Sequence, residues 1–231
     1  MDFKEYNYEI TKLLDYLREL LDAGAEYSTL QIFGHLANSN DELRLIIERI
    51  EKELESNKLL YTKFFNRISK SSEPDSGELE EWARGLSLLN LDIKSFIIFT
   101  RIFCDTLCRF IRLLYGVPGH QLPQSMNGLL ESEKAIEIDK DFFSGLNDRM
   151  DWFHGLRDKR VEIEHYLGGI RSTSTRNGSL GFDIIGMRDK GRSWGTDTVQ
   201  SISDFIQNTI NSLTIVLRYV SKDLSTARAL R

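Results

Sequence analysis

Apolar residues recur every three or four positions along most of the chain, which is the spacing of one face of an α-helix. The pattern is present near the N-terminus, returns in a long apolar segment in the middle, and appears again in the last thirty residues. In the first segment the apolar positions are Phe3, Tyr6, Ile10, Leu13, Leu14, Leu17, Leu20 and Leu21. The sequence therefore predicts a mainly helical protein.

Capping and breaking residues define the predicted helix ends in the first half of the chain. Ser39 and Glu42 are three residues apart and form a capping box, so a helix is expected to begin there. A further helix is expected to restart near Glu78 and to continue to Tyr115. Residues 90–92, Asn-Leu-Asp, are a candidate interruption within it.

In the second half, residues 117–138 are predicted to form an irregular connection with about one helical turn. One long helix is predicted over residues 139–167, where the glycine pair 168–169 stops it. Residues 197–200, Asp-Thr-Val-Gln, are expected to cap a final helix. The apolar stripe of that helix contains Val199, Ile202, Ile206, Ile210, Leu213, Leu217 and Val220.

The convincing β pattern is confined to one late segment. Residues 170–176 and 179–187 flank Asn177-Gly178, a pair that favours a two-residue hairpin turn. The predicted fold class is thus mainly all-α, a bundle of about five or six helices with one hairpin near residues 170–187. Residues 1–75 are expected to be either a separate helical segment or part of the same bundle as residues 76–231.

Composition is that of an ordinary globular protein, with 41% hydrophobic and 28% charged residues among 231. The N-terminus has no basic stretch followed by an apolar block, and the chain has only two cysteines, so a cytoplasmic protein is expected. The most apolar segment, residues 93–115, is interrupted by five charged residues. This favours a buried core helix over a membrane span.

The charge distribution is uneven. The net charge is −5, which disfavours a general nucleic-acid coat. Residues 165–194 contain five basic and two acidic residues and carry +3, which leaves −8 on the rest. The segment is either a focused anion site or an ordinary solvated loop.

The most chemically suggestive residues are Arg160 and His165. A histidine titrates near neutrality and can exchange a proton with a ribose 2′-hydroxyl or a leaving oxygen. An arginine offers a planar fork to phosphate oxygens and stabilises the charge that develops at phosphorus. The alternative is structural: Arg160 and Glu164 form an i,i+4 ion pair, and His165 lies in a last helical turn that favours cations.

A metal site is a weaker alternative. Glu162 and His165 have the Glu-x-x-His spacing of di-iron bundles, but such a site needs a second pair on another helix. Cys104 and Cys108 share a helical face and, even with His120, do not complete a zinc site. No metal and no other cofactor are therefore expected.

The residues around this pair resemble the signature of the HEPN family. That signature is an arginine, four to six intervening residues and a histidine, commonly after a leucine–arginine–aspartate stretch. Residues 156–158 are Leu-Arg-Asp, Ile163 occupies the aliphatic position two before the histidine, and the spacing from Arg160 to His165 is four. Val161 departs from the pattern, because the family usually has a polar residue there.

The resemblance implies a helical bundle that dimerises and cleaves RNA without a metal. Arg160 and His165 would be catalytic, and Arg157, Arg171 and Arg176 would guide RNA. A toxin or defence role with a neutralising protein partner is conceivable. The alternative is a non-catalytic dimer that binds RNA, a nucleotide or a protein, and a third possibility is a purely structural dimer.

Overall fold

The structure is a computed structural model of the chain, in which residues 3–68, 76–115, 122–165, 169–174, 179–185 and 199–229 are described. Within them the protein is mainly helical, with eight helices and three short strands, so the predicted fold class is confirmed. The helices are α1 (Lys4–Asp22), α2 (Tyr27–Ile68), α3 (Ser76–Leu114), α4 (Met126–Leu130), α5 (Glu133–Ile138), α6 (Lys140–Asp148), α7 (Asp151–His165) and α8 (Ile202–Ala229). The strands are β1 (Gly169–Ser174), β2 (Leu180–Ile185) and β3 (Gln200–Ser201).

The residues cluster into two compact units. Unit 1 contains Met1–Glu42, Phe99–Arg157 and Gln207–Arg231, and unit 2 contains Leu43–Ile98 and Asp158–Ile206. Helices α2, α3, α7 and α8 each contribute residues to both units. In the described part of the chain, none of the helices combines the length and apolar character that a membrane span requires.

The core of unit 1 is built from the apolar faces of α1, α3, α6, α7 and α8, together with the first part of α2. Tyr6 lies against Phe103 with ring centroids 6.3 Å apart, and Tyr16 meets Phe110 edge-on at 6.2 Å. Each such side chain stabilises the fold by about 1.5–3 kcal/mol when fully buried. The fully or almost fully buried residues include Leu13, Leu17, Leu36, Leu107, Ile111, Leu146, Phe153, Leu156, Leu213 and Leu217.

A buried carboxylate joins α1 to α8 within unit 1. The side chain of Glu9 is only 4% exposed, and its Oε2 accepts from Ser221 Oγ at 2.8 Å. Lys12 Nζ lies 3.1 Å from the same oxygen, and Arg218 Nε lies 3.6 Å from Oε1. Burial of a charge requires such partners, so Glu9 fixes the pairing of these two helices.

The core of unit 2 joins helices to a small antiparallel sheet of order β1-β2-β3. Phe205 of α8 connects α3 to the sheet, because its ring lies 5.8 Å from Phe96 of α3 and 5.0 Å from Phe182 of β2. Ser172 Oγ of β1 lies 2.5 Å from Asn90 Oδ1, which adds a polar contact between the sheet and α3. Other buried residues here are Leu43, Ile47, Ile50, Leu89, Ile93, Ile97, Ile163 and Ile202.

The predicted helix start at Ser39 is wrong. Residue 39 lies inside the continuous helix α2, and its hydroxyl donates to the carbonyl oxygen of His35 at 2.7 Å. A serine hydroxyl that bonds back by four residues is satisfied within a helix and has no capping role. Leu36 and Leu43 are both buried, so the apolar stripe continues through the apparent capping box.

The candidate interruption at residues 90–92 is also not observed, because α3 is continuous. Asn90 is held by Ser172, and Asp92 forms an ion pair with Arg49 of α2 at 2.6 Å. Two side chains that would otherwise compete with the helix backbone are therefore engaged by residues distant in sequence.

The single helix predicted over residues 139–167 is two helices, α6 and α7. The break follows Asn147 and Asp148, which are poor helix formers, and Met150 between the helices is fully buried. Trp152 Nε1 donates to the carbonyl oxygen of Arg149 at 3.1 Å, which satisfies a group at the end of α6. The connection predicted over residues 117–138 contains two short helices, α4 and α5, each capped by a serine.

The hairpin is confirmed as an antiparallel pair, with Ile170 opposite Ile184 and Ser172 opposite Phe182. Its predicted turn at residues 177–178 lies outside the described residues, as does the proposed boundary at residue 75. The final helix begins later than predicted, because Gln200 and Ser201 form β3. Ser201 Oγ accepts from the Asp204 amide at 3.3 Å and caps α8.

Substitution by alanine at two helical glycines should change the stability of the protein in opposite directions. A Cβ at Gly34 would meet nothing within 4 Å, whereas a Cβ at Gly85 would lie 2.7 Å from Oδ1 of the buried Asn57. We expect Gly34→Ala to raise the free energy of unfolding by about 0.5–1 kcal/mol through helix propensity. We expect Gly85→Ala to lower it by about 1–3 kcal/mol through overpacking. Urea unfolding monitored by circular dichroism measures both, and equal effects would contradict the packing around Gly85.

Asp92 should make stability depend on pH. Its side chain is 2% exposed, and burial raises the pKa of Asp92 above its ordinary value of 3.8, although Arg49 opposes the shift. The folded chain then holds this proton more tightly than the unfolded chain, so the stabilisation is complete at acid pH and is lost as pH rises through the raised pKa. The unfolding free energy of the wild type relative to Asp92→Asn should therefore fall as pH rises above about 4. The exposed Asp22→Asn is the control, and a constant difference for Asp92→Asn would contradict the prediction.

Candidate functional site

The candidate motif occupies the last turns of α7. Leucine, lysine, arginine and glutamate dominate this segment and are good helix formers, and Leu156 and Ile163 bury its inner face. Arg160 and His165 are five residues apart, which places them about 140° apart around the helix axis. The C-terminal end of a helix carries partial negative charge, so only side chains can attract a phosphate there.

The guanidinium of Arg160 is engaged by a carboxylate of the same helix. Its Nη2 lies 2.6 Å from Glu164 Oε2, and the two side chains are 35% and 27% exposed. The predicted i,i+4 ion pair is thus present. An exposed helical pair of this kind contributes only a few tenths of a kcal/mol, about 0.3–0.5.

The other two positions of the motif are His165 and Val161. His165 is the last residue of α7, and its side chain lies outside the described part of the structure. Val161 is half-buried, and its side chain offers no hydrogen-bonding group beside Arg160. The geometry of the motif therefore depends on Arg160 and on the backbone that carries His165.

Arg157 belongs to unit 1 and has a structural role there. Its Nη1 donates to Asn127 Oδ1 at 2.5 Å and lies 3.4 Å from Glu131 Oε1. These contacts join α7 to α4 and to the residue that follows it. The predicted RNA-guiding arginine thus has a polar and an acidic partner within its own unit.

Arg171 belongs to unit 2, on β1. It is directly opposite Asp183 of β2 in the strand register, and its Nη2 lies 3.7 Å from Asp183 Oδ2. Opposite charges across an antiparallel pair stabilise the sheet by about 0.2–1 kcal/mol. Arg176, the other hairpin residue predicted to guide RNA, lies outside the described residues, as do the remaining basic residues of the segment at 188, 190 and 192.

Each of the three described arginines predicted to act on RNA faces a carboxylate: Glu131 for Arg157, Glu164 for Arg160 and Asp183 for Arg171. Of these three, only Arg171 lies in the predicted basic segment of residues 165–194, and its charge is offset there by Asp183. A phosphate can bind one of these arginines only in competition with its carboxylate.

Metal-binding geometry is absent from the described residues, where no three histidine, cysteine, aspartate or glutamate side chains are grouped to hold an ion. Cys104 and Cys108 are buried free thiols of α3. Burial, with the nearby Asp105 carboxylate, raises the pKa of Cys108 to about 12 and also raises that of Cys104. Both are protonated core residues at neutral pH, as the sequence suggested.

The structure brings together a cluster that the sequence did not indicate. The hydroxyl oxygen of Tyr115, just after α3, lies 3.0 Å from Asp139 Oδ2 and 3.1 Å from Asp223 Oδ2. These residues are 24 and 108 positions from Tyr115 in sequence. Asp139 also caps α6 by accepting from the Phe142 amide at 2.9 Å. No local pattern could have joined groups so far apart in sequence.

Aromatic rings surround this phenol. The ring centroid of Tyr115 lies 5.2 Å from those of Phe142 and Phe143, and Phe142 stacks on Tyr219 at 5.3 Å. Burial, the hydrogen bond to Asp139 and the charge of Asp223 raise the pKa of Tyr115 far above its ordinary value. Tyr115 is therefore a permanent hydrogen-bond donor that links the end of α3 to α6 and α8.

Replacement of Tyr115 by phenylalanine should destabilise unit 1. The change leaves two carboxylates without their shared donor and keeps the ring in place, so we expect a loss of about 1–3 kcal/mol in unfolding free energy. The control is Tyr8→Phe, because Tyr8 is 61% exposed. Thermal and urea unfolding measure the difference. An effect no larger than that of the control would show that the phenolic proton shared by Asp139 and Asp223 contributes nothing to stability.

Comparison with known proteins yields no match to this chain among family models, curated proteins or solved structures. Among the described residues, the motif on α7 with its partly exposed charges remains the candidate site, whereas the cluster around Tyr115 is structural.

Proposed function

We propose that the protein is a HEPN-like, metal-independent endoribonuclease. The observation that supports this is the position of Arg160, whose partly exposed guanidinium lies on the final turns of the helix that ends at His165. The helical fold agrees with what the resemblance implies, although many helical proteins share it.

The proposed chemistry needs only these two side chains and the substrate. His165 exchanges a proton with the ribose 2′-hydroxyl or with the leaving oxygen. Arg160 binds the scissile phosphate and stabilises the charge that develops there. The 2′-hydroxyl is the nucleophile, so the products are a 2′,3′-cyclic phosphate and a free 5′-hydroxyl.

The proposal extends to the assembly and setting that the resemblance implies. The active form would be a cytoplasmic homodimer in which two motifs share a cleft, and a toxin or defence role would involve a neutralising partner. Arg157 and Arg171 would guide RNA only where phosphate displaces Glu131 or Asp183. Arg176 stays a prediction from the sequence.

A non-catalytic RNA- or protein-binding dimer is the second candidate. The observation that favours it is Val161, which places an aliphatic side chain where the family usually has a polar one. The loss of one hydrogen-bonding group can abolish chemistry and leave a phosphate contact intact. This candidate predicts salt-sensitive RNA binding without any cleavage product.

The decisive experiment is cleavage of single-stranded RNA in EDTA. We expect the wild type to cleave and to leave 2′,3′-cyclic phosphate ends, whereas Arg160→Ala and His165→Ala lower the rate by at least about 100-fold. A substrate with 2′-O-methyl groups should not be cut, because it lacks the nucleophile. Mass spectrometry of the products identifies the ends.

Matched controls separate the site from general charge and folding effects. Arg44 and His35 are exposed residues of α2, so Arg44→Ala and His35→Ala should cleave like the wild type. Cleavage that disappears in EDTA, or that is equal in all five proteins, would reject the proposed mechanism. RNA binding without product would support the second candidate.

A further inference from the structure

The carboxylate of Glu164 pairs with the guanidinium of Arg160, which is the group that the proposed reaction requires for binding phosphate. Its Oε2 is 2.6 Å from Arg160 Nη2, close enough to take a guanidinium donor that would otherwise face a phosphate. Both side chains are partly exposed, so an incoming anion can reach the pair. The ion pair and a bound phosphate are therefore mutually competitive.

The position of Glu164 does not favour helix stability. It lies in the last turn of α7, where the helix dipole disfavours a carboxylate. The order along the helix is also unfavourable, because an acid four residues before a base pairs better than an acid four residues after it. A local cost of this kind is expected at functional positions.

The pair at Arg160 differs from the other two arginine pairs in what it connects. Arg157 joins α7 to Asn127 and Glu131, and Arg171 joins two strands. Arg160 and Glu164 are one turn apart on the same helix, so opening their ion pair separates no two elements. Of the three, this arginine is the one that can be released at the lowest structural cost.

We propose that Glu164 is an internal competitor that holds Arg160 until an RNA phosphate displaces it. The inference rests on the proposed function, because it concerns the same site. A phosphodiester carries the same single charge as a carboxylate and offers a similar pair of acceptor oxygens to the guanidinium. The exchange keeps Arg160 neutralised, and its cost is the small energy of an exposed ion pair. Glu164 is thus a positioning residue that limits the affinity for RNA and the rate of cleavage.

The test is Glu164→Gln, which keeps the size of the side chain and removes its charge. We expect about 1.5- to 2.5-fold tighter binding of 2′-O-methyl RNA and a similar rise in kcat/KM on cleavable RNA. The dependence of log affinity on log salt should steepen by up to about 0.7, the value for one phosphate contact to a single strand. Glu164→Ala should behave in the same way.

A double-mutant cycle distinguishes displacement from a general gain of positive charge. In the Arg160→Ala background, Glu164→Gln should leave affinity and salt dependence unchanged, because the contested arginine is gone. Glu81→Gln, an exposed carboxylate of unit 2, is the control for the loss of one charge. Equal gains in both backgrounds, or equal gains from the control, would overturn the proposal.

Different outcomes test the proposed function and the role of Glu164. Cleavage that requires Arg160 and His165 but does not change in Glu164→Gln would overturn only the role of Glu164. Tighter binding without product in Glu164→Gln would support the competition and reject the enzyme. If neither the wild type nor Glu164→Gln binds RNA, both inferences fail.

Discussion

The burial of α3 is the constraint on which most of the described structure depends. From Leu89 onward almost every turn of this helix contributes an apolar side chain to a core, in unit 2 first and then in unit 1. Those side chains are Leu89, Ile93, Phe96, Ile97, Phe103, Leu107, Phe110, Ile111 and Leu114. A helix buried to this extent needs partners for its charges. Asp92 pairs with Arg49, while Asp105 accepts from Arg101 at 3.1 Å and from the Met126 amide at 2.8 Å.

The same constraint explains how far the fold could be predicted from the sequence. Apolar periodicity identified the helical class, and the turn pair at residues 177–178 with its flanking β pattern identified the hairpin, because each of these signals is a property of one segment by itself. The errors at Ser39 and at residues 90–92 have one origin. Polar residues with a high preference for caps and turns stay helical when the neighbouring apolar positions are buried and the polar groups find other partners. Ser39 finds its partner within the helix, in the carbonyl oxygen of His35. The partners of Asp92 and Asn90, which are Arg49 and Ser172, are distant in sequence.

The features of the candidate site also differ in whether the sequence alone could predict them. Spacing along one helix is visible in a sequence, so Arg160, His165 and the ion pair of Arg160 with Glu164 could be anticipated, and the pair is observed. Contacts that depend on tertiary structure could not. Neither the bond from Arg157 to Asn127 nor the three-residue cluster around Tyr115 has a local signal. The basic segment was predicted from the number of charges alone. The strand register, which places Asp183 opposite Arg171, is not visible in the sequence.

Local neutralisation of the described arginines also bears on the proposed contact with RNA. Affinity for a phosphate backbone comes largely from cations that release condensed counterions, and a cation already paired with a carboxylate contributes little until that pair opens. The chain carries −5 overall, and its described arginines of interest are each paired. Under the proposed function, a phosphate that contacts one of these three arginines must therefore exchange with its carboxylate at short range. Among them, the pair of Arg160 with Glu164 joins residues of a single helix, so this exchange separates no two elements of the described structure.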